Sequence, residues 1–350
     1  MKTKFGVRLP VSGPLASSVN ILKIGQMADE LGYDAITTHD HVSHSYNERY
    51  HNAGGVAEMV DERDKQGLPV TNFYESIATL SVLAGKTHHV RLIPCSAVLP
   101  WRYPVLFAKQ ISTLYELSGG RYVCCVCMGN IESDFNAMNL EYKKRGKMLN
   151  EYLQVLKLIF SSDKQVTFDG EFIKFPLSEF YPKPSGKIPI WIGGYFNDKA
   201  FERVANFGDG FLPSGSPETY RTGLPKLREY LRSRGKDLMS LEVGTQTFMC
   251  MMKDGDEAKK RSRYTIESFF SGKEFDAPDR NNPERTVRDV LMAGSLNGAF
   301  VGSPDQVIKK IEEFAAEGVK FFDIRQINRT IDDVMEMITL FAKEVMPSFN

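Results

Sequence analysis

The chain has 350 residues, 42% hydrophobic and 25% charged, and its 44 Lys plus Arg balance 44 Asp plus Glu for a formal net charge of zero. That length can bury a large core, and the neutral balance gives no electrostatic footprint for nucleic acid or an anionic membrane surface. Apolar runs fall far short of a membrane span, and MKTKFGVRLP enters a strand with no signal-peptide core, so the expected location is cytoplasmic.

The first predicted strand is Phe5 to Leu9, with a helix over about Ser17 to Leu31 that Gly32 ends. Asp34 to Thr38 is the second, and a long polar loop, Ser43 to Asn72, separates it from a helix opening at Glu75. There Ile77, Leu80 and Leu83 recur at helical spacing until Gly85. Val90 to Cys95 is the third strand, and its helix, Val105 to Leu117, stops at Ser118-Gly119-Gly120. Tyr122 to Met128 is a continuous apolar run, the pattern of a parallel strand buried on both faces. Helix Lys144 to Phe160 carries Leu149, Tyr152, Leu153, Leu156 and Ile159 on one face. A β-hairpin around Asp169-Gly170 follows, within an insertion at about 161–188. The remaining strands are Pro189 to Ile192, Gly210 to Pro213, Leu241 to Met251 and Val319 to Ile324. Their helices are Lys199 to Phe207, Pro217 to Arg234, Asp256 to Phe270 and Ile331 to Val345, with a further helix, Asp305 to Glu317, before the last strand. Residues 271–297 read as a loop and short-helix insertion.

Eight βα alternations predict an α/β fold of one domain, a (β/α)8 TIM barrel with those two insertions. An open doubly wound sheet is the alternative, but its GxGxxG fingerprint is absent, the first βα turn reading LPVSGPLAS.

Barrel chemistry sits at the C-terminal ends of strands. Thr37-Thr38-His39-Asp40-His41 ends the second strand, and packing explains three titratable residues there poorly. They can cap the strand end, or an imidazole can shuttle a proton near neutrality. His39-x-His41 also has paired metal-ligand spacing, and the loop residues His44 and His51 could complete a site, yet no His follows His89, and His88 and His89 precede the third strand at the opposite face; no metal is expected. Ile192-Gly193-Gly194 and Gly208-Asp209-Gly210 through Ser214-Gly215-Ser216 are glycine turns after consecutive strands, the second opening a helix. Such turns let backbone N–H groups approach a phosphate, and ordinary tight turns look the same. Ser96 to Pro104 is a stiff loop whose Trp101 and Tyr103 suit a pocket or a core equally. The five cysteines, Cys95, Cys124, Cys125, Cys127 and Cys250, are odd in number and lie in apolar sequence, so reduced buried thiols are expected.

Residues 75–129, ESIATLSVLAGKTHHVRLIPCSAVLPWRYPVLFAKQISTLYELSGGRYVCCVCMG, resemble the bacterial luciferase-like flavin monooxygenase family. The shared pattern is LAxxT, a strand, PVxxAKxxxTLxxLSGGR and a glycine-rich strand. FGVRLPVSGP, ADELGYDAITTHDH, PIWIGG, GDGF and GSPDQVIKKIEEFAAEGVKFFDI extend the resemblance over essentially the whole chain. The resemblance implies FMN, or the deazaflavin coenzyme F-420, at the barrel mouth. Ser96 and Ala97, near which the family sometimes has a cis non-proline peptide, would support the ring beside Cys127 and Gly129. Gly193, Gly194, Ser214, Gly215 and Ser216 would hold the phosphate. His41 would do the acid/base work, with Asp40 and His39 beside it. Reduced FMN would activate oxygen against a small organic substrate, whereas a deazaflavin would transfer hydride without oxygen. The resemblance allows a separate flavin or deazaflavin reductase and implies a homodimer, and the Ser43–Asn72 and 271–297 segments are candidate lids over the substrate. The family's GxGxG is here Cys125-Val126-Cys127-Met128-Gly129. Those thiols can be inert packing, reshape the pocket, or, with Cys95 on the adjacent strand, serve redox chemistry or a metal. Asn130 replaces a Glu used as the acid by some deazaflavin members, so that role is not carried over. A non-catalytic flavin-binding barrel is the alternative function.

Overall fold

The structure, a computed structural model, describes residues 2–42, 72–270, 276, 278, 284–327 and 330–349. The predicted 43–72 loop lies outside them except for Asn72, as does part of 271–297. The strands are β1 (Lys4–Arg8), β2 (Ser12–Gly13), β3 (Ala35–Thr38), β4 (Asn72–Phe73), β5 (Arg91–Pro94), β6 (Ala97–Val98), β7 (Cys124–Cys127), β8 (Gln165–Asp169), β9 (Lys174–Glu179), β10 (Ile190–Gly193), β11 (Gly210–Leu212), β12 (Glu242–Met251), β13 (Phe300–Gly302) and β14 (Phe321–Gln326). The α-helices are α1 (Ser18–Glu30), α2 (Ser76–Ala84), α3 (Pro104–Leu117), α4 (Glu132–Ala137), α5 (Arg145–Ile159), α6 (Asp198–Phe207), α7 (Pro217–Arg232), α8 (Gly255–Phe269), α9 (Val287–Gly298), α10 (Pro304–Ala316) and α11 (Ile331–Glu344).

Eight parallel strands run β5-β3-β1-β14-β12-β11-β10-β7, and the parallel Leu92–Tyr122 bridge brings β7 back to β5. The barrel and its eight strands are those expected. β6 continues past β5 and pairs with β7, Ala97 opposite Val126 and Val98 opposite Cys127. Ala35, Ile93, Cys95, Val123, Cys125, Trp191, Leu212 and Phe321 fill the interior as one cluster. The outward faces pack under the helices; on α1, Ile21, Ile24 and Ala28 keep the helical period. The expected 271–297 insertion contains a longer helix than read from sequence. α9 has 12 residues and opens with a Thr286–Asp289 capping box.

At the N-terminal end, Arg91 closes the floor: its guanidinium lies 5.3 Å from the Trp191 and Phe321 rings and pairs with Glu242 at 2.8 Å. His88 and His89 lie before β5, as expected. Asp29 at the end of α1 accepts backbone N–H bonds from His88, His89 and Val90 at 2.7, 2.7 and 2.8 Å. Burial alone would raise the Asp29 pKa, but the three N–H donors hold it below the usual value. A depressed carboxylate stabilises the fold above its unfolded pKa and loses that contribution as pH falls through the folded pKa. Asp29→Asn should therefore lower the urea midpoint at pH 7 and narrow the gap to the unmodified protein as pH falls below about 4. A gap that stays constant down to pH 3 would show that the Asp29 charge contributes nothing.

No helix among the described residues is long and apolar enough to cross a membrane.

Candidate functional site

The C-terminal ends of β3, β6, β7, β10 and β11 surround one mouth, and each brings residues singled out in the sequence. After β3 come His39, Asp40 and His41. Asp40 is buried, and both its oxygens are engaged: Arg102 donates to them at 2.6 and 2.8 Å, and the Val98 N–H at 2.8 Å. Burial would lower the Arg102 pKa, but the charge and hydrogen bonds of Asp40, then Glu75, hold it raised. The sequence placed Asp40 beside His41 at the candidate catalytic site; its carboxylate ties the turn after β5 to the end of β3. His39 Nε2 lies 2.7 Å from Ser12 Oγ. The β2–β4 pairing sets Ser12 opposite Phe73, and the Phe73 ring meets His39 and His41 edge-on at 5.0 and 5.5 Å.

His41 Nδ1 lies 3.1 Å from Oδ2 of Asp134, which is fully buried in the short helix α4. Sequence reading missed Asp134. The one available signal was an acidic pair, Glu132 and Asp134, in the first turn after a barrel strand.

The peptide joining Cys95 to Ser96 is cis, beside Ser96–Ala97, near which the resemblance places such a bond. Ser96 Oγ lies 3.3 Å from Cys125 Sγ, and the half-buried Cys127 Sγ sits 3.7 Å from the Ser96 carbonyl oxygen. Burial raises the pKa of Cys125 well above the usual thiol value and that of Cys127 to about 12. Both are therefore protonated at neutral pH, Cys125 inside the barrel and Cys127 one layer nearer the mouth. A Cβ on Gly129, whose φ is 75°, would meet Val98 Cγ1 at 2.7 Å, so that tight turn requires glycine. The Arg145 Nε–H reaches the Gly129 carbonyl at 3.2 Å.

Gly193 and Gly194 end β10. A Cβ on Gly193 would come within 2.2 Å of Ser96 Oγ, so glycine lets the β10 and β6 turns touch. Ser214, Gly215 and Ser216 lead from β11 into α7, where Ser216 and Thr219 form a capping box behind Pro217. A Cβ on Gly298 would lie 2.3 Å from the Gly215 carbonyl oxygen, so α9 packs directly on this turn. The sequence-predicted residues thus fall into two groups: the histidines on the β3 side, and the glycine turns across the barrel on β10 and β11. Glycine turns beside a 16-residue helix N-terminus suit a phosphate, and the neutral thiol wall between the groups suits a flat, uncharged ring.

Sequence reading also missed a polar layer beneath the mouth. Arg8 forms an ion pair with Asp323 and reaches Gln246 at 3.3 Å, and the Thr37 hydroxyl donates to Asp323 at 2.5 Å. Arg325, on β14, has its pKa lowered to about 9, by burial first and then by repulsion from Arg8. Among the described residues, no group of three or more His, Cys, Asp or Glu side chains is arranged to hold a metal ion.

The family profile described as "Luciferase-like monooxygenase" matches residues 3–320. A 5,10-methylenetetrahydromethanopterin reductase of Archaeoglobus fulgidus is 29% identical over 281 residues, 78% of this chain and 81% of that protein. An FMNH(2)-dependent dimethylsulfone monooxygenase of Pseudomonas fluorescens is 25% identical over 264 residues, 70% of this chain and 71% of that protein. The solved coenzyme F-420-dependent tetrahydromethanopterin reductase of Methanopyrus kandleri superposes with a TM-score of 0.74 at 19% identity, covering 100% of both chains. This last likeness concerns the fold.

Proposed function

The chain belongs to the luciferase-like monooxygenase family, and from that premise we propose how its residues divide the work. It is an oxidoreductase using FMN or coenzyme F-420. The bound group supplies the redox chemistry, either oxygen activation by reduced FMN or hydride transfer by the deazaflavin. Gly193, Gly194, Ser214, Gly215 and Ser216 hold its phosphate with backbone N–H groups and the α7 N-terminus. Ser96, Ala97, Cys127 and Gly129 form the wall beside its ring. His41 exchanges a proton with the substrate, Asp134 orients it, and Asp40 and His39 position the β3 end. The substrate is a small organic molecule. An FMN-using enzyme would receive reduced cofactor from a separate reductase. We further propose a cytoplasmic homodimer.

The observation that carries this reading is that the glycine turns and the His41–Asp134 pair face one mouth across the Ser96–Cys127 wall. Titration with FMN and with F-420, followed by absorbance and fluorescence, tests it: tight binding of one supports the reading, and binding of neither refutes it. Gly193→Val adds the strongest check on placement. Overpacking of this kind costs roughly 1–3 kcal/mol, so cofactor affinity should fall about tenfold or more. Unchanged affinity in a folded variant would move the cofactor away from β10.

A further inference from the structure

We propose that the indole Nε1–H of Trp101 donates a hydrogen bond to the substrate, and that the substrate offers it a neutral carbonyl or hydroxyl oxygen. This rests on the reading of the His41 mouth as the reaction site. Trp101 is 6% exposed, and its Nε1 is buried without a hydrogen-bond partner. An indole nitrogen is donor only, and buried donors are nearly always satisfied. Leaving one bare costs stability that phenylalanine, of similar shape, would not forfeit. Among the described residues, Tyr122 also has a buried hydroxyl with no hydrogen-bond partner, but it packs in the large cluster that includes Phe107, Ile111 and Met148. Trp101 is placed differently. Its ring lies 6.3 Å from that of His41 and 5.9 Å from that of Phe135, and Cys127 packs against the same cluster.

These neighbours specify the acceptor. Val98, Phe135 and the protonated Cys127 make an apolar wall, where a carboxylate would lose more hydration than one N–H restores. A neutral oxygen would not. The same oxygen would lie beside His41, which Asp134 holds by Nδ1 at 3.1 Å, so one group would donate and the other exchange a proton at a single atom. The proposed phosphate cradle is on β10 and β11, across the barrel, which leaves this side to the substrate.

The chain has two tryptophans, Trp101 and Trp191, so its 15N–1H spectrum holds two indole N–H signals. Trp101→Phe assigns them; should that variant fail to fold, proximity to His41 ring protons separates them in the unmodified protein. Cofactor-loaded protein would be titrated with cyclohexanone and with methylenecyclohexane, which has nearly the same shape and no acceptor oxygen. The Trp101 signal should move downfield with the ketone only. Trp101→Phe should keep cofactor affinity within about twofold and lose about tenfold in ketone affinity, the scale of one unmade hydrogen bond. A Trp101 signal unmoved by saturating ketone, moved equally by the alkene, or moved by cofactor alone would overturn the assignment. Failure of the ketone to bind loaded protein would overturn it too. Absence of cofactor binding would instead strike the proposed function itself.

Discussion

Replacing His41 with alanine is expected to lower turnover by about 10²–10⁴-fold, the usual worth of a positioned acid/base group, while cofactor affinity changes by no more than about twofold. The two effects separate because the residues are separate. His41 stands at the end of β3, and the glycine turns proposed to hold phosphate end β10 and β11. The ring nitrogen facing Asp134 is Nδ1, at 3.1 Å. Asp134 at that nitrogen fixes the orientation of the ring proposed to exchange the proton. Asp134→Asn keeps the shape and removes the charge, so kcat should fall by at least about tenfold, and the pH profile of kcat should move, which mere loss of packing would not cause. Asp134→Glu should recover part of the rate. Steady-state kinetics with a parallel cofactor titration decide the matter. If His41→Ala lost cofactor binding and rate together, His41 would be part of the binding wall; if neither changed, the proton would come from elsewhere.

Legibility followed the range of each interaction. Strands showed as apolar runs, and helices as periodic faces ended by glycine, because those signals are local. Trp101 illustrates the limit. Its sequence setting suited a pocket or a core equally, and the structure shows a buried ring with an unmet donor beside His41, a combination no local pattern announces. For Asp134 the acidic first turn was the one signal, and its link to His41 stayed hidden because the two are 93 residues apart in sequence. Arg8 and Asp323, 315 residues apart, were hidden for the same reason. The β2–β4 pairing that carries Phe73 onto both histidines joins two-residue strands, too short for any alternation to show. Asp40 lay on the right strand end, but its partner Arg102 belongs to the next βα loop. Charge type alone could not show which cation that carboxylate would meet.

Arg102→Met is expected to destabilise the fold by about 3–5 kcal/mol, the cost of stripping one partner from a buried ion pair. The Asp40 side chain is 1% exposed and the Arg102 side chain 14%, so the abandoned carboxylate would have little water to turn to. Arg102 also donates to the Val98 carbonyl at 3.2 Å and to Glu75 at 2.9 Å, joining the β6 turn to the start of α2. Adding Asp40→Asn to the variant removes the stranded charge and should recover a substantial share of the loss, because an intact buried pair is worth far less than the cost of halving it. Urea unfolding of the two single variants and the double variant measures the coupling. Strict additivity would show that the two side chains act independently and that the geometry overstates their union. The same variants bear on function, since the segment braced by Arg102 carries both Ser96 and Trp101. Arg102→Met should weaken cofactor binding even under conditions where it remains folded. The double variant should not regain full affinity, because the introduced amide could still accept from the Val98 N–H but nothing would anchor the Val98 carbonyl. Stability recovered together with full affinity would mean that the brace serves the fold alone.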